Sequence, residues 1–134
     1  MKFLSKKIQV RYAETDKMGI VHHSNYLLYF EQARIELLDY LDTPYIEMEN
    51  NGVISPVVEV SLKYHNPLSF GDTYQIEIQT VKNPRASLEL TYRVKNQNEK
   101  LVCTGYTKLA FMSAETKKII RVPGNLVSKI QSER

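Results

Sequence analysis

Glu14, Asp16, Gly19, His22, His23 and Ser24 crowd into a short segment just ahead of an apolar, helix-periodic run. Asp16 has a plain role open to it, an Asx-type turn ahead of Gly19, and spacing alone leaves that role level with a chemical one. Position favours chemistry. One glycine-containing loop separates the carboxylate from the start of a buried helix, where the first N–H groups lack intrahelical partners and the dipole is positive. A carbonyl oxygen that gains negative charge during a reaction would be stabilised there.

Such a pair suits thioester hydrolysis. The leaving thiolate comes from a thiol with a pKa of about 8.5 by analogy with cysteine, so little acid assistance is needed. A carboxylate that attacks or activates water, with donors that polarise the carbonyl, is then nearly the whole machine. Other chemistries find less support. There is no G-x-S-x-G, and Ser24 is explained as a helix N-cap. Cys103 lies in an alternating run without an adjacent base and reads as a small buried apolar residue. Neighbouring histidines project in different directions and lack a third ligand, so no metal is expected. His65, beside Asn66-Pro67, reads as a turn residue at a strand end.

The elements that must position these groups follow from periodicity. Phe3 to Tyr12 reads as a strand. Tyr26, Phe30, Ala33, Leu37 and Leu41 recur at three- and four-residue steps, which predicts an amphipathic helix from about Asn25 to Leu41, capped by Ser24 or Asn25 and ended by Asp42-Thr43-Pro44. A polar turn at Met48 to Gly52 follows. Alternation then marks strands at Val58–Tyr64, Tyr74–Ile78 and Leu88–Val94, and a longer one at Leu101–Met112 that Ile119–Val122 continues. Pro123 opens a short helix over Asn125 to Ile130.

Consecutive strands with short turns, plus one long helix, make an antiparallel sheet on a helix: an α+β plan in a single domain, residues 1–134. One helix covers one face, and several residues on the other face are apolar or aromatic. A homo-oligomer is therefore expected.

Bulk properties narrow the field. With 134 residues, 43% hydrophobic and 25% charged, the chain can bury a core. Its net charge of +3 is spread among fifteen acids, so no basic block marks a nucleic-acid partner, while a phosphate-bearing small ligand fits equally well. A lone cysteine cannot form an internal disulfide. Neither a signal peptide nor a membrane span is visible, and a soluble, cytoplasmic protein with no membrane partner is the expectation.

The stretch TDKMGIVHHSNYLLYFEQAR resembles the signature of the 4-hydroxybenzoyl-CoA thioesterase family of hotdog-fold proteins, closest in look to its bacterial acyl-CoA thioester hydrolase branch. The likeness continues through ISPVVEVSLKYHNPLSFGDTYQIE, RASLELTYRV and SAETKKIIRVP, nearly the whole chain. It implies a long central helix wrapped by a five- to six-stranded antiparallel sheet, in dimers or tetramers with active sites at the dimer interface. Asp16 then matches the catalytic carboxylate, as nucleophile or general base, and His23 the helix-start residue whose backbone N–H donates to the thioester oxygen. Gly19 and Tyr26 belong to the implied substrate site, and Arg85 and Lys82 are candidates for the CoA phosphates. Glu31 and Arg34 read as an intrahelical pair.

The implied activity is hydrolysis of a small or medium acyl-CoA, aliphatic or aromatic, with no cofactor beyond the CoA of the substrate. Alternatives are an acyl-carrier-protein thioesterase and a non-catalytic acyl-CoA binding protein. A hotdog dehydratase needs a catalytic histidine paired with an acid on the helix, a pattern not found in place.

Overall fold

The computed structural model describes residues 1–133. In chain order the elements are β1 (Lys2–Leu4), β2 (Ile8–Gln9), a 3-10 turn (Tyr12–Glu14), α1 (Asn25–Tyr40), α2 (Tyr45–Asn50), β3 (Val53–Ile54), β4 (Val57–Tyr64), β5 (Thr73–Thr80), β6 (Leu88–Asn96), β7 (Leu101–Leu109), β8 (Phe111–Ser113), β9 (Ile119–Ile120) and α3 (Gly124–Ser132). The main sheet is antiparallel in the order β1-β5-β6-β7-β4, with β2 also on β5; β3, β8 and β9 form a second, small sheet. This is the hotdog architecture, α1 lying on a curved antiparallel sheet.

Register explains how helix and sheet fit. The rows Ile78–Tyr92–Gly105–Leu62 and Ile76–Val94–Cys103–Tyr64 run across the inner face, towards α1. Phe30, fully buried, stacks on Tyr92 with ring centroids 4.2 Å apart. The same Phe30 ring occupies the place a side chain at position 105 would take, so only glycine lets the helix come down onto β7. Tyr26, Tyr29, Ala33 and Leu37 complete the buried stripe of α1.

Several expectations are corrected. The first strand is not continuous from Phe3 to Tyr12, because Ser5 exchanges backbone and side-chain bonds with Ile76 at 2.8 and 2.9 Å and breaks the ladder between β1 and β2. The polar stretch before Gly52 is the end of α2, held by buried Met48. Ile119–Ile120 does not extend β7. It folds back as β9 on β8, which has left the main sheet after Ala110. Pro123 sits at the N-cap of α3, one place earlier than expected. The outer sheet face is chiefly polar: Glu77, Arg93, Thr104 and Lys63 form one row across it and Glu89, Lys108 and Glu59 another, while the row between them, Thr91–Tyr106–Ser61, carries an aromatic residue. Exposed apolar residues include Val57, Val58, Val60 and Tyr64 on edge strand β4 and Leu27, Leu28 and Ile35 on α1, with others such as Tyr12, Met18, Ile46 and Phe70 in the connections and on α2. No helix among the described residues is long and apolar enough to cross a membrane.

The Gly105 contact gives a direct test. Gly105→Ala is expected to lower unfolding stability by about 2 kcal/mol through overpacking against Phe30, read as a shift of the urea midpoint. An unchanged midpoint would mean that α1 is not seated on Gly105.

Candidate active site

Beyond the 3-10 turn the chain folds Asp16–Gly19 into a tight turn. The Gly19 N–H donates to the Asp16 carbonyl at 3.0 Å, and the Met18 N–H donates to Asp16 Oδ1 at 2.8 Å. Gly19 adopts φ 79°, a left-handed conformation that suits glycine and strains other residues. The plain and the chemical readings of Asp16 are thus both accommodated. One carboxylate oxygen closes the Asx-type turn, while Oδ2 has no partner among the described residues.

Glu14 fastens this loop to the helix start. Its carbonyl accepts the His22 N–H and Asn25 Nδ2, each at 2.8 Å, and its carboxylate accepts the Arg11 N–H and the Tyr29 hydroxyl, each at 2.9 Å. Burial of Tyr29, reinforced by that bond to Glu14, raises its phenol well above the ordinary range. Short bridges at Thr15–Val21 and Ile20–Ser69 stiffen the remainder.

At the start of α1, Ser24 holds the N-cap position but does not cap. Its hydroxyl bonds His22 Nδ1 at 2.8 Å, a correction to its expected role. The Ser24 N–H goes to His22 Nδ1 and the Asn25 N–H to the His22 carbonyl. The His23 N–H has no acceptor among the described residues. Its carbonyl takes the Tyr64 hydroxyl at 3.1 Å, which ties the helix start to the end of β4.

Asp16, His23 and Tyr26 line one cleft of about 340 Å³, together with Tyr64, His65 and Asn66. Burial pushes the Tyr26 phenol up to about 12, so it stays neutral and serves as a wall and hydrogen-bonding group. Of the expected site residues, the turn glycine Gly19 shapes the loop. Lys82 and Arg85 lie elsewhere. They occupy the β5–β6 connection, beyond the far end of an eight-residue strand that spans roughly 25 Å. Lys82 bonds Glu89 at 2.9 Å and Arg85 is exposed.

Two further readings are corrected. Glu31 and Arg34 do not pair; Arg34 Nη1 donates to the Tyr92 hydroxyl at 3.2 Å. The His22 and His23 rings do not diverge but stack at 4.2 Å, because the backbone turns sharply into α1 between them. Among the described residues no cluster of three His, Cys, Asp or Glu side chains is placed to hold a metal. Sequence reasoning missed Tyr64 and His65 as cleft residues. Alternation placed Tyr64 on the inner face, but nothing local linked it to position 23.

Asp16 Oδ2 and the His23 N–H, both without partners among the described residues, thus belong to residues that share one cleft of a hotdog fold. Residues 10–130 match the model of the Thioesterase-like superfamily, and the chain belongs to that family. It is 52% identical over 68 residues to a putative acyl-CoA thioesterase, YneP, of Bacillus subtilis; that match covers 51% of this chain and 49% of the relative. It is 30% identical over 128 residues to a putative esterase of Aquifex aeolicus, covering 96% and 91% of the two chains. Among solved structures, a DHNA-CoA thioesterase from Staphylococcus aureus superposes with a TM-score of 0.84 at 34% identity, over 88% of this chain and 80% of the other.

The thiol is shielded, as expected. Cys103 is fully buried, and burial raises it to about 11. At pH 8 the native protein should therefore resist iodoacetamide for hours, while the urea-unfolded chain is alkylated within minutes; rapid labelling of the native protein would contradict this burial.

Proposed function

We propose that the protein hydrolyses acyl-CoA thioesters, with Asp16 and the His23 backbone N–H acting on opposite sides of the bound carbonyl. The observation that carries this reading is that Asp16 Oδ2 and the His23 N–H have no hydrogen-bond partner among the described residues, and that both residues line the same cleft. The His23 N–H polarises the thioester oxygen and holds the negative charge of the tetrahedral intermediate. Asp16 Oδ2 supplies the electron pair, either directly to the carbonyl carbon or through a water that it deprotonates. Collapse breaks the carbon–sulfur bond and CoA leaves as a thiolate; in the water route it takes the proton that Asp16 had accepted, and in the direct route a water then hydrolyses the acyl–Asp16 anhydride, which releases the acid and restores the carboxylate. The products are the free acid and CoA. Similarity to a putative acyl-CoA thioesterase of Bacillus subtilis and to a DHNA-CoA thioesterase of Staphylococcus aureus supports CoA over a carrier protein as the thiol.

The working unit is a homodimer. Strand β4 is an eight-residue edge with exposed valines and Tyr64, and an open edge of this kind invites another strand. Antiparallel pairing of β4 with its copy lays the Val57 end of the partner beside Tyr64. It also brings the partner's sheet end that carries the Lys82–Arg85 connection towards the Asp16 cleft. Arg85, exposed and remote within its own chain, is thereby available to a CoA phosphate at the partner's site.

Two outcomes are expected. Asp16→Asn should lower kcat by about 10² or more with acyl-CoA substrates while leaving the unfolding midpoint close to wild type. Near-normal turnover would remove Asp16 from the chemistry. Light scattering should give twice the 15.6 kDa chain mass, and Val60→Lys should shift the protein towards monomer; a wild-type monomer would exclude the shared interface.

A further inference from the structure

Glu31 and Arg34 are three residues apart on α1, yet they do not pair, and among the described residues neither has an oppositely charged side chain within ion-pair distance. Arg34 is half-buried and gives one N–H to the Tyr92 hydroxyl; Glu31 is exposed. A half-buried guanidinium with donors to spare is costly to leave without a counter-charge. Both residues line the same recess as Ile35 and Val57, so they stand on the flank of α1 that looks towards edge strand β4. The charged residues of β4, Glu59 and Lys63, lie on the outer face of the sheet, away from this flank.

The register of the sheet places this flank level with the middle of β4. Phe30 sits against Gly105, the partner of Leu62. Arg34 bonds Tyr92, whose hydroxyl also meets Thr107, the partner of Val60. The stretch of α1 between Glu31 and Arg34 is therefore level with the midpoint of β4, between Val60 and Ser61. In the β4-paired dimer, full overlap of the two eight-residue strands puts the two-fold axis at that midpoint. The axis then sets α1 beside an antiparallel copy of itself on the same face of a continuous sheet. Contacts across such an axis are mutual, so position 31 faces position 34 twice. With α1 over β7, the two helices stand three strand spacings apart, roughly 14 Å on a flat sheet and less on a curved one. Interdigitated helices need about 8–10 Å, so the long side chains of glutamate and arginine are the ones that span the gap.

The geometry points to two reciprocal ion pairs across the dimer axis, Glu31 with Arg34 of the partner subunit and Arg34 with the partner's Glu31. The inference rests on the β4-paired dimer of the proposed function and adds what fixes its register. An edge strand that slips by two residues keeps the same face inward, so backbone pairing and side-chain alternation discriminate poorly against such a slip. Yet that slip carries one helix about 7 Å past the other and parts both ion pairs. Opposite charges that meet in one register and separate in its neighbours select that register. The partner's carboxylate also supplies the counter-charge that Arg34 lacks in its own chain.

The test uses Glu31→Arg and Arg34→Glu. Each alone sets like charges together at both pairs of its homodimer, so its dimer dissociation constant, from sedimentation equilibrium, should rise by about tenfold or more. Mixed together, the two variants place opposite charges at both pairs. Native mass spectrometry should then show heterodimer well above the statistical half, whereas Glu31→Arg mixed with wild type should stay near it. Repulsion within each chain is the same before and after mixing, so this readout reports contact between chains. Should Arg34→Glu fail to fold, Glu31→Arg decides alone from its exposed position: between about 50 and about 500 mM NaCl its dissociation constant should fall, while that of the wild type should rise. Variant dimers as tight as the wild type, with statistical mixing and the wild-type salt dependence, would overturn the ion pairs and leave the dimer standing. A wild-type monomer would remove the dimer and this inference with it.

Discussion

The carbonyl of Glu14 is the joint on which the active site turns. Two donors from the start of α1, the His22 N–H and the Asn25 side chain, converge on this one oxygen, and so the loop that carries Asp16 is pinned to the helix tip. Backbone amides at a helix start must otherwise be met by water or by caps. Here His22 and Asn25 are engaged by neighbouring groups, whereas the His23 N–H has no acceptor among the described residues. The same economy applies to Asp16. Its Oδ1 is spent on the turn, so the carboxylate is held in place by its own loop while Oδ2 stays available. On the proposed hydrolytic reading, such preorganisation spares the site a rearrangement at the moment of reaction.

The sheet sets the other boundary. Phe30 can stack on Tyr92 only because position 105 carries no side chain, and this close seat fixes how far α1 stands from β7. Farther along α1, α2 and Phe111 diverge from the sheet, and a cavity results. On the open side, β4 has no neighbouring strand among the described residues, so its inner-facing valines and Tyr64 stay partly exposed. Helix α1 is thus seated tightly in its middle, against Gly105, and left partly uncovered along the flank beside β4.

Much of this was readable in the sequence, for reasons that differ by element. The 3.6-residue recurrence of Tyr26, Phe30, Ala33 and Leu37 located α1 almost to its ends, since a long periodic run admits one reading. Alternation located β4, β5, β6 and β7. It failed at the first strand, where the Ser5–Ile76 exchange interrupts the ladder, and at α2, whose six residues are too few to show a period. Of the candidate site, the Asp16 turn and the helix start were legible because they are adjacent in sequence. Tyr64 and His65 were not, since they reach the cleft through the pairing of β4 with β7. The supposed Glu31–Arg34 pair shows the limit of spacing: a buried Tyr92 hydroxyl competes for the guanidinium, and no local pattern announces it. The polar outer face likewise depends on which residues the register sends outward.

The account depends most on a carbonyl oxygen meeting the His23 N–H while Asp16 approaches from the other side. A crystal structure with an acyl-CoA analogue in which methylene replaces the thioester sulfur tests this directly. The ketone oxygen should lie about 2.7–3.1 Å from the His23 nitrogen, with Asp16 Oδ2 or a water bound to it poised over the carbonyl carbon. A ketone bound away from α1, or a His23 amide turned to another acceptor, would contradict it.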